Sequence, residues 1–349
     1  MENSNMQDFV KDYYGKVLQK SSDLKTNACC TTDAPPQHMK NALKQVPDPI
    51  IERYYGCGSP LPSEIEGLTV VDLGSGSGRD CYVAASLVGP QGKVIGIDMT
   101  EEQLQVARKH VESYCQSLNY PAANLEFRQG YIEFLNETGL SPNSVDLVIS
   151  NCVVNLSPDK KLVVDGVANI LKEGGEFYFS DVYCDRRLPD SVREHKLLYG
   201  ECLAGALYTE DFIRLAHQAG FADPRVLSTS TIEIHDEELK KIVGEAKFYS
   251  ITYRLFKLKT LETLCEDYGQ IAIYTGGIPG QENGFVLDDH HYFVKDKPHL
   301  VCGNTASMLE ETRLSKYFNV QGNHDTHFGL FDCSNPESAT GSGEGGACC

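Results

Sequence analysis

The chain has 349 residues, of which 41% are hydrophobic, and its formal net charge is −18. This length can bury a sizeable core and suggests two domains or one enlarged domain. The negative charge argues against a nucleic-acid or anionic-membrane partner, because such partners require clustered Lys and Arg side chains.

The first 65 residues predict a polar, mostly helical segment, which is interrupted at Ala34–Pro36 and Pro47–Pro49. Its start lacks the apolar core of a signal peptide, and no stretch of the chain approaches the length of a transmembrane helix. The thirteen cysteines of the chain are therefore expected to be reduced thiols in a cytoplasmic protein rather than a disulfide framework.

A glycine-rich turn between two strands is the clearest motif. Its parts, in order, are the strand Val70–Val71, the carboxylate Asp72, Gly74, Gly76, Gly78, an apolar helix and the strand Val94–Ile97, which ends at Asp98. Glycines let the backbone approach a ligand, and the following helix offers free N–H groups. An acid at the end of the second strand can accept hydrogen bonds from ribose hydroxyls. The segment therefore predicts a nucleoside-cofactor pocket.

Strands and helices alternate from residue 66 to about 182, which predicts a doubly wound, Rossmann-like α/β sheet with helices on both faces. The further elements predicted along the chain are a capping box at Thr100 and Gln103, the strand Val145–Asn151, a helix from Ser157–Pro158 to Gly174–Gly175 with its proline in the first turn, the strand Glu176–Tyr183 and the helix Glu210–Gln218.

The pattern weakens near residue 226 and indicates a smaller second unit. Its predicted strands are Thr231–Ile234, Lys247–Lys257 and Gln270–Tyr274. The end of the chain, from Cys333, is rich in Gly and Ser and predicts a flexible tail that carries cysteines. We therefore expect four parts: residues 1–65, a cofactor-binding domain at 66–225, a smaller C-terminal α+β domain at 226–332 and the tail at 333–349.

The spacing of the glycines distinguishes between two kinds of nucleoside cofactor. A dinucleotide fingerprint, G-x-G-x-x-G, places its third glycine three residues after the second. Here the third glycine, Gly78, follows after only two, and Asp72 would repel a pyrophosphate but suit a cationic amino group. The pattern D-x-G-x-G-x-G resembles the first motif of class I S-adenosylmethionine-dependent methyltransferases, and this resemblance makes Asp98 the ribose-binding acid.

The cysteines indicate what kind of molecule accepts the methyl group. None forms a C-x-x-C pair, which argues against a zinc ribbon. Cys152 and Asn151 end a predicted strand, where ligands of a doubly wound sheet bind, and Asn151 is a candidate contact for the methionine moiety. Cys202 lies among small residues that permit close approach, so these two thiols favour a soft, thiophilic acceptor. The remaining single cysteines are expected to pack as small apolar side chains; they are Cys81, Cys115, Cys184, Cys265 and Cys302.

Several motifs together resemble the arsenite methyltransferases, the As(III) S-adenosylmethionine methyltransferases. They are TNACC (26–30), RYYGCG (53–58), DLGSGSGRDCYV (72–83), GIDMT (96–100), GYIE (130–133), SNCVVNLSPDK (150–160), GGEFYFSDVY (174–183), YGECLAGALY (199–208) and RLFKL (254–258). The resemblance implies four functional cysteines at Cys29, Cys57, Cys152 and Cys202, of which Cys57, Cys152 and Cys202 bind arsenic. Cys30, beside Cys29, is an addition to the family motif and leaves the choice between the two open.

The resemblance also implies a mechanism and partners. Thiolates hold As(III), whose lone pair takes the methyl group of S-adenosylmethionine and leaves S-adenosylhomocysteine, and thioredoxin or glutathione restores the thiols. Ile132 and Glu133 would cover the adenine, Met99 would pack against it, and Tyr55 would touch the methionine end. The substrate would be arsenite or an arsenic–thiol conjugate, and the enzyme a monomer.

Two other functions remain compatible with the residues. The same fold could methylate carbon, nitrogen or oxygen of a small molecule, with the cysteines merely structural. Alternatively, a thiol-rich protein could bind a metalloid without turnover. The complete cofactor motif argues against simple binding, and the lack of an obvious His or Asp base near Asn151 weakens ordinary O-methylation.

Overall fold

A computed structural model describes residues 37–53 and 60–332. Its strands are β1 (Thr69–Leu73), β2 (Lys93–Asp98), β3 (Leu125–Gln129), β4 (Val145–Asn151), β5 (Leu171–Cys184), β6 (Leu207–Tyr208), β7 (Arg225–Ile232), β8 (Phe248–Phe256), β9 (Glu266–Asp267), β10 (Gln270–Tyr274), β11 (Gly284–Val286), β12 (Tyr292–Val294), β13 (Pro298–Val301), β14 (Phe318–Gln321) and β15 (Gly329–Leu330).

The α-helices of the described residues are Gln37–Leu43, Asp48–Ile51, Arg79–Val88, Glu101–Lys109, Val111–Ser117, Lys160–Ile170, Asp190–Arg193, Lys196–Gly200, Thr209–Gln218, Glu237–Val243 and Gly303–Glu310. The 3-10 helices are Ile132–Thr138, Val154–Leu156 and Arg313–Tyr317. In the ranges 37–53 and 60–332, no helix has both the length and the apolar character needed to cross a bilayer.

Eight strands form the main sheet, in the order β3-β2-β1-β4-β5-β8-β7, with β6 beside β5. The strands β1 to β5 are parallel, as the alternation of strands and helices predicts. Side chains alternate between the two faces: Val71 belongs to one apolar core and Val70 to another. Helices cover both faces, so the predicted doubly wound α/β fold is confirmed, and the carboxyl ends of β1, β2 and β4 meet at one edge.

The main sheet extends further along the chain than the sequence indicates. β8 pairs antiparallel with β5, and β7 pairs antiparallel with β8. The prediction that Thr231–Ile234 and Lys247–Lys257 form strands of the smaller unit is therefore wrong, because these residues complete the main sheet. The second of them carries Arg254, whose side chain is buried against Glu176 of β5 at 2.6 Å.

The smaller unit has its own sheet, in the order β13-β10-β14, and two short hairpin-like pairs. The predicted strand Gln270–Tyr274 is its central strand. Its core combines aliphatic side chains with aromatic ones, among them Tyr274, Phe285 and Phe293. Arg313 reaches from this unit to Glu176 of the main sheet at 2.5 Å, so a buried ion pair joins the two parts.

Two local predictions are also corrected. The helix after β4 begins at Lys160, with Asp159 as its N-cap, so Pro158 lies before the helix rather than in its first turn. Thr100 caps its helix without a capping-box hydrogen bond, since its hydroxyl is bonded to Asp98 instead. His290 and His291 directly precede β12, and His291 is buried against Asp288.

Candidate cofactor and acceptor site

The glycine turn lies between β1 and the helix Arg79–Val88. Gly74, Gly76 and Gly78 all have positive φ angles, which other residues rarely adopt. A Cβ at Gly74 would come within 2.4 Å of Val153, whereas a Cβ at Gly76 would meet no atom within 4 Å. The turn is therefore packed on one side and open on the other, and its open side faces a cleft.

Asp98 ends β2 beside this turn. Its carboxylate accepts hydrogen bonds from the backbone N–H groups of Gly76 at 2.8 Å and Thr100 at 2.7 Å. Burial raises the pKa of Asp98, and these donors oppose the rise. The carboxylate is thus held rigidly at the rim of the cleft, with lone pairs left to accept hydrogen bonds from a ligand.

Asp72, at the end of β1, is almost completely buried. The thiol of Cys81 donates a hydrogen bond to its Oδ2 atom at 3.1 Å. Burial and the nearby charge of Asp80 raise the pKa of Asp72 well above its usual range. Burial and Asp72 likewise raise the pKa of Cys81, so the helix N-terminus does not make this cysteine a thiolate. A cationic group in the cleft would compensate for the crowded carboxylates.

The cleft encloses about 1010 Å³, part of it open to solvent. The predicted residues that line it are Asp72, Gly74, Gly76, Asp98, Met99, Ile132, Glu133, Asn151 and Cys152. Gly78 is the N-cap of the following helix rather than part of the lining. The open glycine backbone, the acids at the strand ends and the apolar Ile132 fit a nucleoside that carries a positive charge, as S-adenosylmethionine does.

Asp80 and Ser157 line the cleft and were not singled out from the sequence. Asp80 accepts a hydrogen bond from the Asn151 amide at 3.0 Å, which fixes the end of β4. The Ser157 hydroxyl donates to Glu133 at 2.5 Å and fixes that carboxylate. The only sequence signal for Asp80 was an acid in the first turn of a helix that follows a glycine loop.

Cys152 and Cys202 are brought together from separate segments. Cys152 directly follows β4, and the Cys202 thiol donates a hydrogen bond to the Cys152 carbonyl at 3.3 Å. Cys152 has a φ of 56° and Cys202 a φ of 63°, a left-handed conformation that is costly for a residue with a side chain. Strained backbone of this kind is concentrated at functional sites. Cys152 reaches the cleft, and Cys202 is completely buried next to it.

The loop that carries Cys202 packs on a buried polar network. Asn155 donates to both carboxylate oxygens of Asp181, at 3.0 Å from its backbone and 2.8 Å from its side chain. Burial raises the pKa of Asp181 to about 6. Burial lowers the pKa of Lys160 to about 8, and the charges of Asp181 and Cys202 oppose this change. Lys160 is therefore an additional ionisable group near Cys202.

The other predicted site residues lie outside the described residues. They are Cys29, its neighbour Cys30, Tyr55 and Cys57. Cys152 is disulfide-bonded, and the other six cysteines in residues 37–53 and 60–332 are thiols.

Comparison with known proteins gives matches over most of the chain. A family model described as a methyltransferase domain matches residues 65–220, and one described as the arsenite methyltransferase C-terminal domain matches residues 268–341. An arsenite methyltransferase of Aquipseudomonas alcaligenes is 52% identical over 94% of each chain. The human arsenite methyltransferase is 43% identical over 92% of this chain and 85% of its own.

A crystal structure of an arsenic (III) S-adenosylmethionine methyltransferase from Chlamydomonas reinhardtii is also similar. It matches with a TM-score of 0.84 and 56% identity, and the match covers 86% of this chain and 100% of that one. The similarity therefore includes both the main sheet and the smaller unit.

Proposed function

The chain belongs to the arsenite methyltransferases, and we propose that it transfers methyl groups from S-adenosylmethionine to trivalent arsenic held by the thiols of Cys152 and Cys202. The observation that carries the proposal is the contact of the Cys202 thiol with the backbone of Cys152 at the carboxyl end of β4, beside the cofactor cleft. The biological role of the reaction is arsenic biotransformation and detoxification.

Different residues of the cleft bind different parts of the methyl donor, S-adenosylmethionine. When bound, S-adenosylmethionine supplies an electrophilic methyl group on a sulfonium. Asp98 accepts hydrogen bonds from the ribose hydroxyls, and Ile132, Glu133 and Met99 surround the adenine. Asp72 and Asn151 bind the methionine end of the cofactor. Tyr55, which is not among the described residues, is proposed to contact the same end.

Cys57 completes the arsenic site with Cys152 and Cys202, and Cys29 is the fourth functional cysteine. Three thiolates suit soft, trivalent arsenic and leave its lone pair unused. The lone pair needs no general base, so the protein contributes position and the exclusion of water. The complete burial of Cys202 supports this account, because water is excluded from around its sulfur.

Methyl transfer takes arsenic formally from As(III) to As(V), and two electrons from a pair of thiols return it to As(III). The product of the thiols is a disulfide, which thioredoxin or glutathione reduces. The disulfide-bonded state of Cys152 supports a redox role for this residue. Such chemistry requires a reducing compartment, so we propose a cytoplasmic monomer that acts on arsenite, on methylarsenite or on their thiol conjugates.

The experiment is a turnover assay with product speciation. Purified protein, arsenite, a thiol reductant and S-adenosylmethionine should yield methylarsenicals and S-adenosylhomocysteine. Cys152→Ser and Cys202→Ser should abolish the product, whereas Cys115→Ser, at a buried cysteine that belongs to a different core cluster and does not line the cleft, should retain it. Arsenite binding without S-adenosylhomocysteine would refute turnover, and methylation of an organic acceptor alone would refute the assignment of arsenic.

A further inference from the structure

A second pair of thiols lies in the smaller unit, away from the cleft. Cys302 is completely buried at the N-cap of the helix Gly303–Glu310, and Cys265 is 8% exposed. The Asn304 side chain joins the two segments, since it accepts a hydrogen bond from the Glu262 N–H at 2.8 Å and donates one to the Glu262 carbonyl at 2.7 Å. The thiols of Cys265 and Cys302 are also in hydrogen-bond contact with each other.

Several donors surround the Cys302 sulfur. The Thr305 hydroxyl lies 3.3 Å from it, the Thr305 backbone N–H donates to it at 3.5 Å, and the Arg225 guanidinium donates at 3.7 Å. Arg225 is itself paired with Asp223 and Asp288. The hydrogen bond that the Cys302 thiol donates to Cys265 raises the pKa of Cys302, and burial raises it further, so this thiol is protonated. The donors nevertheless favour a sulfur that gains negative charge on binding a ligand.

The number of ligand atoms limits what this pair can bind. In residues 37–53 and 60–332, one cluster has three side chains placed to hold a metal ion together: Asp288, Asp289 and His290. Neither Cys265 nor Cys302 belongs to it, so within those ranges these two thiols have no third protein ligand of this kind beside them. A structural zinc ion requires four protein ligands. Two thiols instead match a trivalent arsenic atom that carries one carbon group, because such an atom has two exchangeable oxygens.

We propose that Cys265 and Cys302 bind a monosubstituted trivalent arsenical of the class R–As(OH)₂. Two S–H bonds and two As–O bonds break, two S–As bonds and two water molecules form, and arsenic stays trivalent throughout. Methylarsenite, the singly methylated arsenical of the proposed function, belongs to this class. The inference rests on the proposed function only for the source of this ligand.

An arsenical can reach the two thiols if the short strands beside Cys265 open locally. The Cys265 carbonyl accepts a hydrogen bond from the Phe331 N–H at 2.8 Å, beside the two-residue strands β9 and β15. The neighbouring side chain of Leu264 is 51% exposed. Few hydrogen bonds therefore separate the pair from solvent, and short ribbons of this kind open at low free-energy cost.

The test uses the full chain and phenylarsine oxide, a monosubstituted trivalent arsenical, followed by methylarsenite. In the wild type, proteolysis and mass spectrometry should find one arsenic atom that bridges the peptides containing Cys265 and Cys302. In a background with serine at Cys29, Cys30, Cys57, Cys152, Cys202, Cys333, Cys348 and Cys349, Cys265→Ser should weaken binding at least about 100-fold, because a single thiol loses the advantage of the second, tethered one. Cys184→Ser in the same background is the matched control and should leave the affinity unchanged.

The absence of a bridged peptide in the wild type would overturn the proposal, and this measurement does not depend on the folding of any variant. An unchanged affinity in Cys265→Ser would also overturn it. Methylation of arsenite without a bridged peptide would refute only this inference, whereas a bridged peptide in a protein that does not methylate arsenite would refute only the proposed function.

Discussion

Gly205 lies three residues after Cys202 and sets how closely the acceptor loop packs on the main sheet. A Cβ at this position would lie 2.0 Å from the Asn155 carbonyl oxygen, where an ordinary contact begins at 3.4 Å. Asn155 cannot retreat easily, because Asp181 holds both its backbone and its side chain. In Gly205→Ala the loop with Cys202 must therefore move by more than 1 Å.

The expected cost has two parts. Overpacking of a closed site costs about 1–3 kcal/mol of unfolding free energy. A displacement of about 1 Å at a reacting group costs on the order of 100-fold in rate. We expect Gly205→Ala to lower the urea midpoint and to reduce kcat/KM for arsenite by about 100-fold, while the KM for S-adenosylmethionine changes little.

The matched control is Gly166→Ala, in the helix Lys160–Ile170. There a Cβ would meet Leu135 at 3.4 Å, which is ordinary contact. Alanine is the better helix former by about 1 kcal/mol, so this variant should be as stable as the wild type or more stable, with normal turnover. Wild-type turnover and stability in Gly205→Ala would refute the reasoning.

Three further predictions concern the carboxylates. Asp98→Asn replaces a charged acceptor of two N–H groups and should raise the KM for S-adenosylmethionine by about 10- to 100-fold in steady-state assays. Cys81→Ala removes a hydrogen bond that lowers the pKa of Asp72, so the acid limb of the pH profile for S-adenosylmethionine binding should move to higher pH. Arg254→Met leaves the buried Glu176 without its 2.6 Å partner and should cost about 3–5 kcal/mol in urea unfolding.

Each of these predictions has a control or a contrary result. Asp146→Asn changes an acid at the opposite end of β4 and should leave the KM for S-adenosylmethionine unchanged. An acid limb that stays in place or moves to lower pH would contradict the role given to Cys81. Arg187→Met breaks the exposed pair with Asp211 and should leave the urea midpoint almost unchanged, because solvent screens this pair.

The ion pair of Glu176 also gives a pH dependence of stability. Burial raises the pKa of Glu176, but Arg254 and Arg313 outweigh it, so the pKa in the folded protein is lower than usual. The stabilisation is therefore complete above the pKa of an ordinary carboxyl group and is lost as the pH falls through the lowered value. Urea midpoints measured from neutral to acidic pH should fall more steeply for the wild type than for Arg254→Met, in which Arg313 alone still pairs with Glu176.

The cofactor half of the site could be predicted because its parts are local. Asp72, Gly76 and Asp98 lie within one strand–turn–helix–strand unit, whose geometry follows from the spacing of its glycines. The contact between Cys81 and Asp72 lies in the same unit, but hydrophobic periodicity does not indicate which way a small buried side chain points.

The strand pairing beyond residue 225 could not be predicted in this way. β8 reads as a half-buried strand in either sheet, and its partner β5 precedes it by about seventy residues. Arg254 obscured the pattern further, since an arginine inside a strand normally indicates exposure, whereas here it is buried by its ion pair. The proximity of Cys152 and Cys202 came from the family resemblance, because no local rule relates a strand end to a loop fifty residues later.

The left-handed backbone of Cys202 lowers the stability of the fold at a position where the proposed function requires a thiol. A glycine there would relieve about 1–2 kcal/mol of strain. Selection for thermostability alone, in the laboratory or in a lineage no longer exposed to arsenic, would therefore favour loss of this thiol. Retention of the cysteine in a stable descendant of this chain would be a record of continued demand for its chemistry.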